Sequence, residues 1–167
     1  FKNKKDNQFF QIHHQWDYRI KNNSNKNTNK CKICYLGDYS FRGQKYEHTT
    51  IDLSKFKDID TIGSIPSKIE DNNYNVHINL RGERIGIVKP GTKISTAAAL
   101  NCNIITINEP SALELLGLDY PYLVFSLDEN EIKKMIQYVK KTFKTDIWYQ
   151  ALETMKKVKR ETSLESI

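Results

Sequence analysis

From residue 31 onward, short apolar runs rich in isoleucine, valine and leucine alternate with segments whose apolar residues recur every three or four positions. The short runs, at 32–36, 59–62, 75–80, 103–107 and 122–125, have the length and β-branched content of strands. The run at 103–107, Asn-Ile-Ile-Thr-Ile, lacks the strict alternation of a half-exposed strand and fits one covered on both faces, as in a parallel sheet. Helices are expected at 92–100, 111–116, 128–143 and 146–161, with weaker signals at 40–48 and 67–71. Within 128–143, Ile132, Met135, Ile136 and Val139 form one apolar stripe, and Trp148, Leu152, Met155 and Val158 do the same in the last helix. Lys156, Lys157, Lys159 and Arg160 gather in that helix's final turns, where they complement the negative end of its dipole. Alternation of this kind predicts an α/β protein: a Rossmann-like, doubly wound parallel sheet of about five strands with helices on both faces.

The first 30 residues differ in character. Residues 8–13 suggest a short strand, and 21–30 form an Asn- and Lys-rich run with too little apolar content to order itself. The expected division is therefore an N-terminal remnant and linker at 1–30 and a ligand-binding domain at 31–167. A chain that opens Phe-Lys-Asn-Lys-Lys, with neither Met nor an apolar leader, is expected to be part of a longer protein. The formal charge of +6 does not imply a nucleic-acid surface. Seven Lys/Arg against two Asp lie in 1–30, which leaves a net charge of only +1 on the rest of the 167 residues. No apolar run has the length of about 20 residues that a membrane span needs. Three cysteines are too few for a disulfide framework, so a cytoplasmic setting is expected. Cys31 and Cys34, spaced as C-x-x-C, are expected on one strand with opposite facing, as small core residues and not as metal ligands.

Candidate chemistry concentrates at 89–106. Pro90 and Gly91 break the preceding structure, Thr92 is the expected cap of the next helix, and the first amides of that helix form a ready anion site flanked by Lys89 and Lys93. Ala97, Ala98 and Ala99 allow that helix to lie close on a sheet. In open parallel sheets ligands bind beyond the carboxyl ends of the strands. That rule also selects Gly37-Asp38, Gly63-Ser64, the strand end from His77 to Arg81, and Asn108 to Ser111. Arg81 suits a bidentate phosphate contact and His77 a hydrogen bond to a sugar or phosphate oxygen. Alternation places His77, Asn79 and Arg81 on one face; if they bind no ligand, they are expected to line an exposed sheet edge.

The segment Ala97-Ala98-Ala99-Leu100-Asn101-Cys102-Asn103-Ile104-Ile105-Thr106, with the loop before it, resembles the donor-binding half of a GT-B glycosyltransferase. The resemblance extends over about 31–160 and is most specific from 75 to 124. The family's glycine falls on Asn101 or Cys102, its proline on Asn103, and its glutamates on Lys89 and on Ser95 or Thr96. The resemblance implies a nucleotide diphosphate sugar held at Lys89, Gly91, Thr92 and Lys93, with Gly37 in the loop that closes over the donor and Arg81 and His77 as further contacts. It also implies a preceding acceptor domain as partner, to which His13 or His14 would belong as an acceptor-activating base. No Asp-x-Asp motif of the GT-A type occurs, so neither a metal nor a cofactor is implied. The replaced glutamates favour an alternative, a non-catalytic Rossmann-like ligand-binding or interaction module.

Overall fold

The computed structural model describes residues 15–17, 20, 29–37, 51–62, 74–80 and 91–163. Five strands, β1 (Ile33–Leu36), β2 (Ile59–Ile62), β3 (Val76–Asn79), β4 (Asn103–Ile107) and β5 (Leu123–Val124), form one sheet in the order β2-β1-β3-β4-β5. Every neighbouring pair is parallel, with Ile33 opposite Ile59 and Val76, Val76 opposite Asn103, and Thr106 opposite Leu123. The order runs one way from β1 to β2 and the other way from β3 to β5. Right-handed crossovers then put the connections on either side of that reversal on opposite faces, which makes the sheet doubly wound. The architecture is α/β and Rossmann-like, as the sequence predicts.

Four helices complete the described structure: α1 (Thr92–Ala99), α2 (Pro110–Leu116), α3 (Glu129–Lys141) and α4 (Asp146–Glu161). Helices α1 and α2 both pack against α4, while α3 packs on β5. Ion pairs of Lys55 with Glu129 and of Lys140 with Asp58 tie α3 to the segment leading into β2. These pairs are exposed and stabilise weakly. The expected helices at 40–48 and 67–71, the strand at 8–13 and most of the 21–30 run lie outside the described residues. Near the N-terminus, the Trp16 amide donates to the Thr162 carbonyl at 3.4 Å, and Ile20 is buried in the core.

β3 and β4 form the centre of the core. All four residues of β3 are buried, and Ile104, Ile105 and Thr106 of β4 are fully so. The expectation that His77 could line an exposed sheet edge is thereby corrected: β3 is the middle strand of five and has neighbours on both sides. Cys31 is likewise not on a strand, since β1 begins at Ile33. None of Cys31, Cys34 and Cys102 is in a disulfide, and the last two are buried.

Helix ends follow local chemistry. Asp128 caps α3 by accepting from the amides of Asn130 and Glu131 at 2.9 and 3.1 Å. α1 ends in a paired closure, with the Cys102 amide donating to Ala97 and the Asn101 amide to Ala98. That closure requires a left-handed residue, and Asn101 supplies it at φ 55°. Asn101 is one of the two positions at which the resembled segment carries glycine, and the backbone shows why a residue tolerant of positive φ is needed there. Its side chain accepts from Lys159 of α4 at 3.0 Å. Below the sheet edge, Tyr120 Oη accepts from the Ile104 amide at 2.9 Å, and Asn103 Nδ2 donates to the Trp148 carbonyl at 3.3 Å. These bonds satisfy polar groups that would otherwise be costly to bury.

Two predictions follow from this packing. Asn101→Ala should destabilise the fold by about 1–2 kcal/mol in a denaturant titration, and Asn101→Gly by less, because only the former places an intolerant side chain in the left-handed region. The second concerns alkaline pH. Burial, aided by a hydrogen bond with Asp60, pushes the Tyr74 hydroxyl up to about 12, and burial pushes the Cys31 thiol up to about 11 against the opposing charge of Lys140. Burial also raises Tyr120 and Tyr122. The unfolded chain therefore loses these protons at lower pH than the folded one. Stability should hold up to about pH 9 and fall progressively from there to about pH 12, read as the thermal midpoint across that range. Tyr74→Phe should flatten the upper part of the decline.

Candidate functional site

The carboxyl edge of the sheet brings together the ends of β1, β3 and β4 and the starts of α1 and α2. The reversal of strand order falls between β1 and β3, which is where an open parallel sheet leaves a crevice. β1 ends at Leu36, and the Gly37 amide that follows donates to the Ile62 carbonyl at 3.0 Å. Lys93 reaches this point from the first turn of α1: its ammonium donates to the Leu36 carbonyl at 3.0 Å and stands 3.6 Å from the centre of the Tyr35 ring. Gly37 has φ 147°, and a Cβ there would lie 3.3 Å from Lys93 Nζ and 3.2 Å from the Tyr35 ring. Glycine thus serves both the backbone conformation and the close approach of the lysine. Gly37 and Lys93, 56 positions apart in sequence, adjoin one another at the crevice.

The start of α1 differs from expectation in one respect. Thr92 is the first helical residue and Gly91 holds the capping position, so Thr92 does not cap the helix. The Gly91 carbonyl accepts from the amides of Ile94 and Ser95 at 2.9 and 3.0 Å. The amides of Thr92 and Lys93 have no acceptor within the helix, and a glycine cap has no side-chain oxygen to offer them. Packing explains the glycine: a Cβ at Gly91 would come within 2.5 Å of Leu115 Cδ1 and 3.8 Å of the Ser111 carbonyl oxygen, both on α2. The two helix starts are therefore adjacent. The Ser111 hydroxyl is buried there with no hydrogen-bond partner among the described residues.

On the other flank of β3, Asn79 Nδ2 donates to Thr106 Oγ1 at 3.2 Å and to Glu109 Oε1 at 3.3 Å. Asn79 and Thr106 are buried and opposite one another in the β3–β4 register, and Glu109 is half-buried at the start of α2. His77 shares the Asn79 face but lies two residues, about 7 Å, back from the edge, opposite Cys34 and Ile104. Of the predicted contacts, Gly37, Gly91, Thr92 and Lys93 line the carboxyl edge, and His77 is buried beneath it. Lys89 and Arg81, with His13, His14, Asp38, Gly63 and Ser64, lie outside the described residues. Sequence reasoning selected the loop from Asn108 to Ser111 but gave Glu109, Asn79 and Thr106 no role. The signal for them was available in part, since Asn79 and Thr106 are each the next-to-last residue of a predicted strand.

Among the described residues no group of three or more His, Cys, Asp or Glu is arranged to hold a metal ion. No helix among them is long and apolar enough to cross a membrane. The fold and edge together define a class, a Rossmann-like α/β domain with a polar crevice at its switch point. Compared with known proteins, the chain matches no family model and no curated sequence.

The packing at the crevice is directly testable. Gly91→Ala should cost about 1–3 kcal/mol in chemical denaturation, because the new methyl must displace Leu115. Adding Leu115→Ala to that variant should cost less than Leu115→Ala costs in the wild-type background.

Proposed function

We propose that this chain is the nucleotide-sugar-binding half of a glycosyltransferase, acting with a preceding acceptor domain. The observation that supports the reading best is the meeting of a cation and an uncapped helix start at the sheet's switch point. Lys93 and the first amides of α1 offer a nucleotide diphosphate fixed positive potential, and the adjoining Gly37 lets the chain pass close to the bound group. In a transfer reaction the same groups would stabilise the leaving diphosphate as its charge develops. Lys89 and Arg81, by their place in the sequence next to this edge, would add further positive charge.

A second reading, a ligand-binding or interaction module without transfer activity, is favoured by Lys93 itself. Its ammonium is already engaged by the Leu36 carbonyl and the Tyr35 ring, a structural use that would suffice without any ligand.

Calorimetric titration with UDP and GDP separates the two. Lys93→Ala should weaken binding of whichever nucleotide the wild type takes by about 1–2 kcal/mol, the scale of a partly exposed charge-assisted hydrogen bond, and Arg81→Ala should do likewise. Unchanged affinity in Lys93→Ala would remove that lysine from the site. Absence of nucleotide binding by the wild type would favour the second reading.

A further inference from the structure

A short stretch ahead of β1 is anchored at the far end of the chain. The Trp16 amide donates to the Thr162 carbonyl at the end of α4, the Trp16 ring packs half-buried against the core, and Ile20 is buried within it. A turn closed by the Ile20 amide on the Asp17 carbonyl at 2.9 Å joins the two anchors. α4, on which they seat, is also the helix that backs α1.

Three observations set this contact apart from the rest of the core. At 3.4 Å the bond to Thr162 is longer than the usual range for an amide and a carbonyl. The Trp16 indole nitrogen is buried with no hydrogen-bond partner among the described residues, a cost that access to water would relieve. α4 closes without Trp16, because the Thr162 amide and hydroxyl both donate to the Val158 carbonyl, at 2.9 and 2.8 Å. Trp16 belongs to no strand or helix, so lifting it with Ile20 removes two apolar anchors but breaks no ladder. The covalent path permits such a movement. Residues 21–29 contain no apolar side chain and reach about 30 Å when extended. Beyond them the chain is held again by Asn75, which donates to the Lys30 carbonyl at 3.1 Å and accepts from the Lys32 amide at 2.8 Å. We propose that Trp16 and Ile20 form a detachable strap, which seats on the end of α4 and lifts as one unit while the sheet and its helices stay folded. Segments that open separately in this way are drawn from the least stable part of a fold. The inference does not depend on what the crevice binds.

The test reads the two tryptophans of the chain separately. With 5-fluorotryptophan incorporated, Trp16 and the buried core residue Trp148 each give a fluorine resonance, assigned with Trp16→Phe. In a urea titration of the full chain, the Trp16 resonance should reach its free-chain position at a midpoint about 1 M or more below that of Trp148 and of the far-ultraviolet circular dichroism. Ile20→Ser should give the free Trp16 resonance without urea, leave the Trp148 resonance in place and move the thermal midpoint by less than about 3 °C, since a change in the strap costs no more than its seating contributes. Coincident midpoints for the two tryptophans in the wild type would overturn the inference and make Trp16 part of the cooperative core. Displacement of both resonances together in Ile20→Ser would do the same, and a Trp16 that stays seated in that variant would show that the two anchors do not act as one unit, which overturns it as well.

Discussion

Enclosing β3 on both sides and both faces is the condition on which the rest of this structure depends. A central parallel strand has no solvent to satisfy its polar groups, so whatever it carries must find partners within the sheet or the layers above it. Val76 and Ile78 meet that condition as apolar residues. Asn79 meets it by bonding across to Thr106 and Glu109, and this is why a carboxylate from the start of α2 is drawn over the strand ends. The polar rim at the edge is thus a consequence of core packing.

The same enclosure fixes α1. Its alanine-rich face and Ile94 are buried, and a helix so close to the sheet delivers its first turn to the gap between β1 and β3. Lys93 spans that gap to the last carbonyl of β1, and a side chain at Gly37 would press on that lysine while one at Gly91 would press on Leu115. Among the described residues, the edge therefore combines backbone amides, the Lys93 ammonium and the Glu109 carboxylate on elements packed into the core. Such pre-arranged polar groups lower the reorganisation that ligand binding would otherwise require.

The sequence made the strands legible because their apolar residues are continuous and β-branched. β2, β4 and α4 have the expected bounds, and the others differ by one or two residues at an end. Such differences arise where a terminal residue makes no ladder or helix hydrogen bond. The turn before α1 was legible from Pro-Gly and its flanking lysines, but the cap was not. Thr92 has the favoured chemistry for that role, yet the proximity of Leu115, 23 residues further on, selects glycine at the position before it. The contact between Lys93 and Leu36 and that between Asn79 and Glu109 depend on which strands are neighbours and in what register. Local periodicity carries no information about either, and strand order is fixed only when the whole sheet assembles.

The three cysteines have a practical consequence for chemistry done on this protein. Cys34 and Cys102 are enclosed, and at neutral pH a thiol whose pKa is about 11, like that of Cys31, is ionised in only about one molecule in ten thousand. Since the thiolate is the form that attacks electrophiles and disulfides, the native cysteines form a chemically quiet background. A single cysteine introduced on an exposed position, such as the outer face of α3, would be modified far faster than any of them, so a spectroscopic probe can be attached without first removing the native thiols.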